Sequence, residues 1–192
     1  MKGYVQVYTG DGKGKTTAAI GLAMRALGAG KRVWLLQFMK SKAYSEHAIL
    51  PQVSPNLTVE TLGKPYFIAK EGTLSEADKR ALGEVVVFAP GEPPAEYVAD
   101  CRAGVEKARQ GLASGAYDVV ILDEIIVALY FELITRADVE SLMDARPETT
   151  ELVLTGRRAP DWLIERADLV TEMVPVKHYF DRGVANRKGI ED

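Results

Sequence analysis

The segment Thr9-Gly10-Asp11-Gly12-Lys13-Gly14-Lys15-Thr16-Thr17 sets three glycines and two lysines directly before a pair of hydroxyls. Glycines let the backbone wrap an anion with its amides turned inward. Lys15 can neutralise phosphate oxygens, and the Thr16 hydroxyl can ligate Mg²⁺. Further along, Asp123 and Glu124 close the apolar run Val119-Val120-Ile121-Leu122. A carboxylate at the end of a buried strand is placed to hold Mg²⁺ or one of its waters. The plainer alternative is that one of the two acids caps the helix that follows. Lys15, Thr16 and Glu124 are therefore the candidate catalytic set, and Thr16, Asp123 and Glu124 the candidate metal set.

The loop follows a predicted strand and opens a predicted helix, the context that a P-loop requires. The helix start adds unpaired N–H groups and the positive end of the dipole. One position departs from G-x-x-x-x-G-K-[ST], because Thr9 stands where the pattern begins with glycine. Arg25, near the C-terminus of the first helix, reads as a solvated cation, while the pair Arg157-Arg158 either faces phosphates or is exposed. Cys101 falls on an apolar helical stripe and is read as packing. Two histidines, His47 and His178, are too scattered for a zinc site.

The elements that must position these residues alternate between strand and helix. Gly3–Tyr8 reads as the first strand, and a helix from about Lys15 repeats apolar residues at Ala19, Leu22, Ala23, Ala26 and Leu27. Strands follow at 32–38 and 57–62. Residues 84–94 hold an apolar burst and three prolines, and are expected to form a surface loop or hairpin. A helix over 95–113 lines Val98, Cys101, Val105, Ala108 and Leu112 along one face. Then come a buried strand at 118–122, a helix at 136–145, a second buried strand at 151–154, a helix at 160–166 and a last such strand at 168–174. This order predicts an α/β fold with a mainly parallel sheet flanked by helices, of the P-loop NTPase or RecA-like kind, as one domain over 1–192. Ligands of such sheets sit at the carboxyl ends of the strands. The turns after Tyr8, Phe38, Leu122 and Leu154 should thus surround one site.

With 24 basic and 27 acidic residues the net charge is −3, which leaves no footprint for general nucleic-acid binding. The single cysteine excludes an internal disulfide and fits a reducing cytosol. No apolar window is long enough for a membrane span, and the N-terminus has no secretory pattern. The expected location is the cytoplasm.

Several blocks, in order, carry a family resemblance. They are T-G-D-G-K-G-K-T-T-A-A at 9–19, Q-F-M-K at 37–40, I-L-D-E at 121–124, L-T-G-R-R at 154–158 and V-K-H-Y-F-D-R-G-V at 176–184, with Gly189-Ile190-Glu191. The chain resembles the P-loop class of ATP:corrinoid adenosyltransferases, which act on cob(I)alamin or cob(I)yrinic acid a,c-diamide. The resemblance implies that a Co(I) corrinoid attacks the ribose C5′ of ATP, forming a Co–C bond and releasing triphosphate. It implies Mg²⁺, a nucleotide lying reversed in the cradle, a homodimer, and a reductase or flavodoxin-like electron donor. By matching position, Arg25 becomes a nucleotide contact and Thr16 with Glu124 or Asp123 the Mg²⁺ set; Arg157, from the basic pair at the strand end, and the loop residues Thr9 to Thr17 complete the candidate nucleotide contacts.

Members of the family that act on complete cobalamin carry a G-F-x-W type segment. The corresponding stretch here is Gly63-Lys64-Pro65-Tyr66-Phe67-Ile68-Ala69, which has no tryptophan. Tyr66 and Phe67 are the candidate corrinoid contacts, on a segment expected to close over the ring; ordinary packing is the alternative. The missing tryptophan favours an incomplete corrinoid such as cobinamide. Rival readings are a P-loop phosphotransferase or ATPase, which would yield ADP, and a non-catalytic corrinoid or nucleotide binder. A RecA-like nucleic-acid motor is disfavoured by charge and length.

Overall fold

The computed structural model describes residues 2–41, 44–73, 84–184 and 186–191. The chain runs through β1 (Val5–Thr9), α1 (Lys15–Gly28), β2 (Val33–Phe38), a 3₁₀ turn (Ser45–Ala48), α2 (Leu50–Val53), β3 (Leu57–Leu62), β4 (Phe67–Lys70) and β5 (Val85–Phe88). It continues through α3 (Ala95–Ala113), β6 (Val119–Asp123), α4 (Ile125–Tyr130), α5 (Arg136–Ala145), β7 (Glu151–Thr155), α6 (Asp161–Arg166), β8 (Leu169–Glu172) and a 3₁₀ turn at Tyr179–Arg182. Six strands form one sheet in the order β3-β2-β6-β7-β1-β8, and every neighbouring pair is parallel. The fold is α/β and P-loop NTPase-like, as the alternation predicts.

Helices cover both faces, so the central strands are buried throughout: every residue of β2 and of β6 is buried. Alternate residues feed two cores. On one face Leu35, Ile121 and Val153 pack with Ala19, Ala23 and Ala26 of α1. On the other, Trp34, Leu36, Val120, Leu122, Leu152 and Leu154 meet Cys101, Val105, Ala108 and Leu112 of α3. α3 comes close because it carries glycine where it crosses the sheet. A Cβ on Gly104 would stand 2.2 Å from Leu62 Cδ1, and one on Gly111 would stand 2.2 Å from Trp34 Cζ3.

Two sequence expectations change. Residues 84–94 are neither a plain loop nor a hairpin, because β5 pairs with β4 in parallel register, Phe67 opposite Val85. A parallel pair needs a crossover rather than a tight turn, and residues 71–84 supply that length. The last strand is not buried on both faces: all four residues of β8 are exposed, since it is the outer strand of the sheet. Among the described residues, no helix is long and apolar enough to cross a membrane.

Candidate active site

The glycine-rich loop joins β1 to α1 at the carboxyl edge of the sheet. Gly10 and Gly14 take left-handed φ of 93° and 119°, values that a side chain would strain. The glycines also make room for a neighbouring segment. Gly12 N–H donates to Met173 O at 2.7 Å, and a Cβ on Gly10 or Gly12 would approach that oxygen to 2.5 or 2.6 Å. No side chain caps the start of α1, which leaves its first-turn amides available to an anion.

Lys15 is only 6% exposed, and its ammonium donates to Gly10 O at 2.7 Å and Gly12 O at 2.8 Å. The loop thus encloses the side chain from stem to ammonium. Burial and then the nearby Arg157 charge push the Lys15 pKa below its ordinary value. Thr9 is also buried. Its hydroxyl accepts the Ala159 N–H at 3.1 Å, so the side chain that replaces the first glycine fastens the turn after β7. Asp11, Lys13 and Thr17 are exposed around the loop.

The two acids differ sharply. Asp123 is fully buried. Its carboxylate accepts from Thr16 at 2.9 Å, Gln37 at 3.0 Å, Lys40 at 2.9 Å and Thr155 at 2.6 Å. Burial opposes its charge, but Lys40 and these donors outweigh burial and hold its pKa below the usual range. Glu124 takes a left-handed backbone conformation, φ 60°. Its N–H donates to Thr155 Oγ1 at 2.9 Å. It stands at the N-cap position of α4, but its side chain makes no capping bond. Among the described residues no hydrogen bond engages that carboxylate. Burial and the Asp123 charge raise its pKa, against the pull of Lys40, Lys15 and Arg157.

Gln37, Lys40 and Thr155 lie in the Q-F-M-K and L-T-G-R-R blocks, but the sequence assigned them no role. The available signals were a glutamine inside the buried run Val33–Phe38 and polar residues at two strand ends. Burial alone would lower the Lys40 pKa; the Asp123 charge and hydrogen bond more than reverse this, and Glu124 and Glu46 add to it. His47 Nε2 and Gln37 Oε1 lie 2.6 Å apart, extending the network outward.

The arginines separate. Arg157 is exposed, yet its charge acts on both Lys15 and Glu124. Arg158 is turned to Tyr130, donating to its hydroxyl at 2.8 Å with the guanidinium 4.5 Å from the ring centroid. Arg25 is exposed in the last turn of α1, about 15 Å along the helix from Lys15 at the standard rise. The structure does not bring it to the loop.

Tyr66 and Phe67 also part company. Tyr66 hydrogen-bonds Glu96, which pushes its phenol up to about 12. It meets Tyr97 edge to face at 5.5 Å, and Tyr97 in turn donates to Tyr66 O at 2.7 Å. Phe67 opens β4 and is 45% exposed.

A parallel sheet that gathers Lys15, Thr16, Asp123 and Glu124 at its carboxyl edge, beneath an uncapped helix start, defines an α/β protein of the P-loop NTPase-like class. The family described as ATP:corrinoid adenosyltransferase BtuR/CobO/CobP matches residues 1–191, and the chain belongs to that family of transferases. It is 33% identical over 190 residues to the corrinoid adenosyltransferase of Escherichia coli strain K12, covering 99% of this chain and 86% of that protein. The corrinoid adenosyltransferase CobA of Salmonella typhimurium matches at 33% over the same share of each chain. The corrinoid adenosyltransferase of Pseudomonas aeruginosa is 33% identical over 191 residues, 99% of this chain and 84% of its own length.

Proposed function

We propose that this protein transfers the 5′-deoxyadenosyl group of ATP to the Co(I) of a reduced corrinoid. The cobalt electron pair forms the Co–C bond as the C5′–O bond breaks, and the electrons of that bond leave with inorganic triphosphate. The observation that carries this reading is the meeting of Lys15, Thr16, Asp123 and Glu124 at one sheet edge in a chain that matches the family throughout. The leaving group is a polyanion, so donors fixed in advance around it are where such a fold lowers the barrier. Each well-placed donor is worth about 3 kcal/mol. Lys15 and the loop amides fill this role, and the charge of Arg157 adds to it.

The donor set fits Mg²⁺: a hydroxyl and two carboxylates are hard oxygen ligands. Thr16 and Glu124 would hold the ion directly. Asp123 would orient Thr16, because its own oxygens already accept four donors. When bound, Mg²⁺ supplies charge neutralisation for the departing triphosphate. Of the two aromatics, Phe67 is the one free to cover a corrin face, since Tyr66 is engaged by Glu96 and Tyr97. An apolar cover there would keep protons from the Co(I) nucleophile. Without a tryptophan in this stretch, an incomplete corrinoid such as cobinamide is the preferred acceptor. The working unit is a cytoplasmic homodimer served by a reductase or flavodoxin-like donor. Anaerobic incubation with ATP, Mg²⁺ and chemically reduced cobinamide or cobalamin tests the reaction by the spectrum of the Co–C product. A kinase or ATPase would leave the cobalt spectrum unchanged.

A further inference from the structure

Thr16 and Asp123, hydrogen-bonded directly to each other, are both touched by a cation of the protein itself. The Lys40 ammonium lies 2.9 Å from Asp123 Oδ2 and 3.2 Å from Thr16 Oγ1. On its outer side Glu46 stands 3.9 Å away, and the Tyr44 ring centroid 5.1 Å away. An ion pair that merely neutralised a buried aspartate would need no contact with the threonine.

The backbone is shaped to bring Lys40 there. Met39 takes a left-handed φ of 59° immediately after β2, a strained conformation for a side chain that persists where its surroundings enforce it. The Lys40 N–H then donates to Leu62 O at 3.1 Å. Across from it, a Cβ on Gly63 would come within 2.7 Å of the Lys40 backbone nitrogen and carbonyl carbon. A strained residue before Lys40 and a glycine beside it both serve its placement.

We propose that Lys40 is a resident counter-ion of Asp123 that competes with the divalent cation for the Thr16 hydroxyl, so that metal enters only together with the triphosphate. The inference rests on the Mg²⁺ reading given above. In the nucleotide-free protein the ammonium compensates Asp123, whose buried charge would otherwise be costly. Among the described residues no group of three or more His, Cys, Asp or Glu is placed to hold a metal. The remaining ligands must therefore be phosphate oxygens and water, as is usual for Mg²⁺. Once the metal arrives, the ammonium is displaced toward Glu46 and Tyr44.

The test is a Mn²⁺ titration of nucleotide-free protein, followed by the electron paramagnetic resonance signal of free Mn²⁺. Wild type and Lys40→Met are compared, each with and without Thr16→Ala. Lys40→Met should bind Mn²⁺ about ten- to a hundred-fold more tightly than wild type, the scale set by removing one ammonium at hydrogen-bond distance. The added Thr16→Ala should cancel that gain. Mn²⁺ alone should also raise the melting temperature of Lys40→Met and leave that of wild type unchanged. A Lys40→Met protein that folds only with Mn²⁺ also supports the competition; if it does not fold even then, Lys40→Gln is titrated in its place. Equal Mn²⁺ affinity in wild type and the Lys40 variant, lost from both with Thr16→Ala, overturns the role of Lys40 and leaves the metal reading standing. Mn²⁺ binding indifferent to Thr16→Ala, with ATP as well as without, overturns both.

Discussion

The Thr16 hydroxyl donates to Asp123 Oδ1 at 2.9 Å, although the two residues are 107 positions apart in the chain. Thr16 begins a helix and Asp123 ends a strand, so their meeting fixes the geometry of the strand edge on which the proposed chemistry depends. Asp123 is saturated by its donors, whereas the adjoining Glu124 carboxylate makes no hydrogen bond among the described residues. Substitutions should separate the two. Asp123→Asn leaves Lys40 as an uncompensated buried charge and should lower stability by about 3–5 kcal/mol in urea melts. Glu124→Gln removes a charge that burial and Asp123 already disfavour. Its stability should stay within about 0.5 kcal/mol of wild type, while the Mg²⁺ concentration needed for half-maximal ATP turnover rises. Equal stability losses in the two variants would contradict this division of roles.

Lys15→Ala should reduce turnover at saturating ATP by about 10²- to 10³-fold, the scale of losing one preorganised donor. Because the ammonium also serves Gly10 O and Gly12 O, a melt should show a cost of about 1–2 kcal/mol as well. Near wild-type turnover would remove Lys15 from the mechanism.

Gly12→Ala tests the passage of the chain beside the loop. Its Cβ would meet Met173 O at 2.6 Å, and backbone cannot yield as a flexible side chain can. The expected result is a loss of about 1–3 kcal/mol together with weaker ATP binding by calorimetry. Unchanged binding and stability would mean that the 173–174 segment is free to move.

Phe67→Ala should lower kcat/KM for the corrinoid with little change in melting temperature, since Phe67 is largely open. Tyr66→Phe should leave corrinoid kinetics alone, because what it removes is the bond to Glu96. Steady-state kinetics with cobinamide and cobalamin under strong chemical reduction would show the split, with cobinamide the better acceptor. A larger kinetic loss in Tyr66→Phe than in Phe67→Ala would reverse the assignment.

Cys101 is 1% exposed, and burial pushes its thiol up to about 12. The native protein should resist iodoacetamide, and denaturant should expose the thiol. Mass spectrometry of the two samples distinguishes this packing role from a reactive one.

Much of the site could be read from sequence because its parts are local. The glycine-lysine-threonine run and the acid pair each carry their chemistry in adjacent residues, and the strand periodicity placed their turns at one edge. What escaped was set by contacts between distant segments. Lys40 acquires its position from a left-handed Met39 and from Gly63 on the next strand's exit, and neither leaves a periodic signal. Thr9 reads as an altered loop residue until Ala159 is seen to donate to it. Tyr66 and Phe67 are neighbours of one chemical type, and only the approach of Glu96 and Tyr97 distinguishes them. The parallel pairing of β4 with β5 was hidden for a similar reason: proline-rich flanks suggest a loop, while the pairing partner lies beyond a crossover.

The most direct measurement of the central claim is the phosphate product formed with each Co–C bond. With γ-labelled ATP, Mg²⁺ and excess Co(I) corrinoid under anaerobic conditions, labelled inorganic triphosphate should accumulate one for one with the adenosylated corrinoid. Labelled orthophosphate with ADP, and no Co–C absorbance, would contradict adenosyl transfer and leave a phosphoryl-transfer enzyme on the same fold.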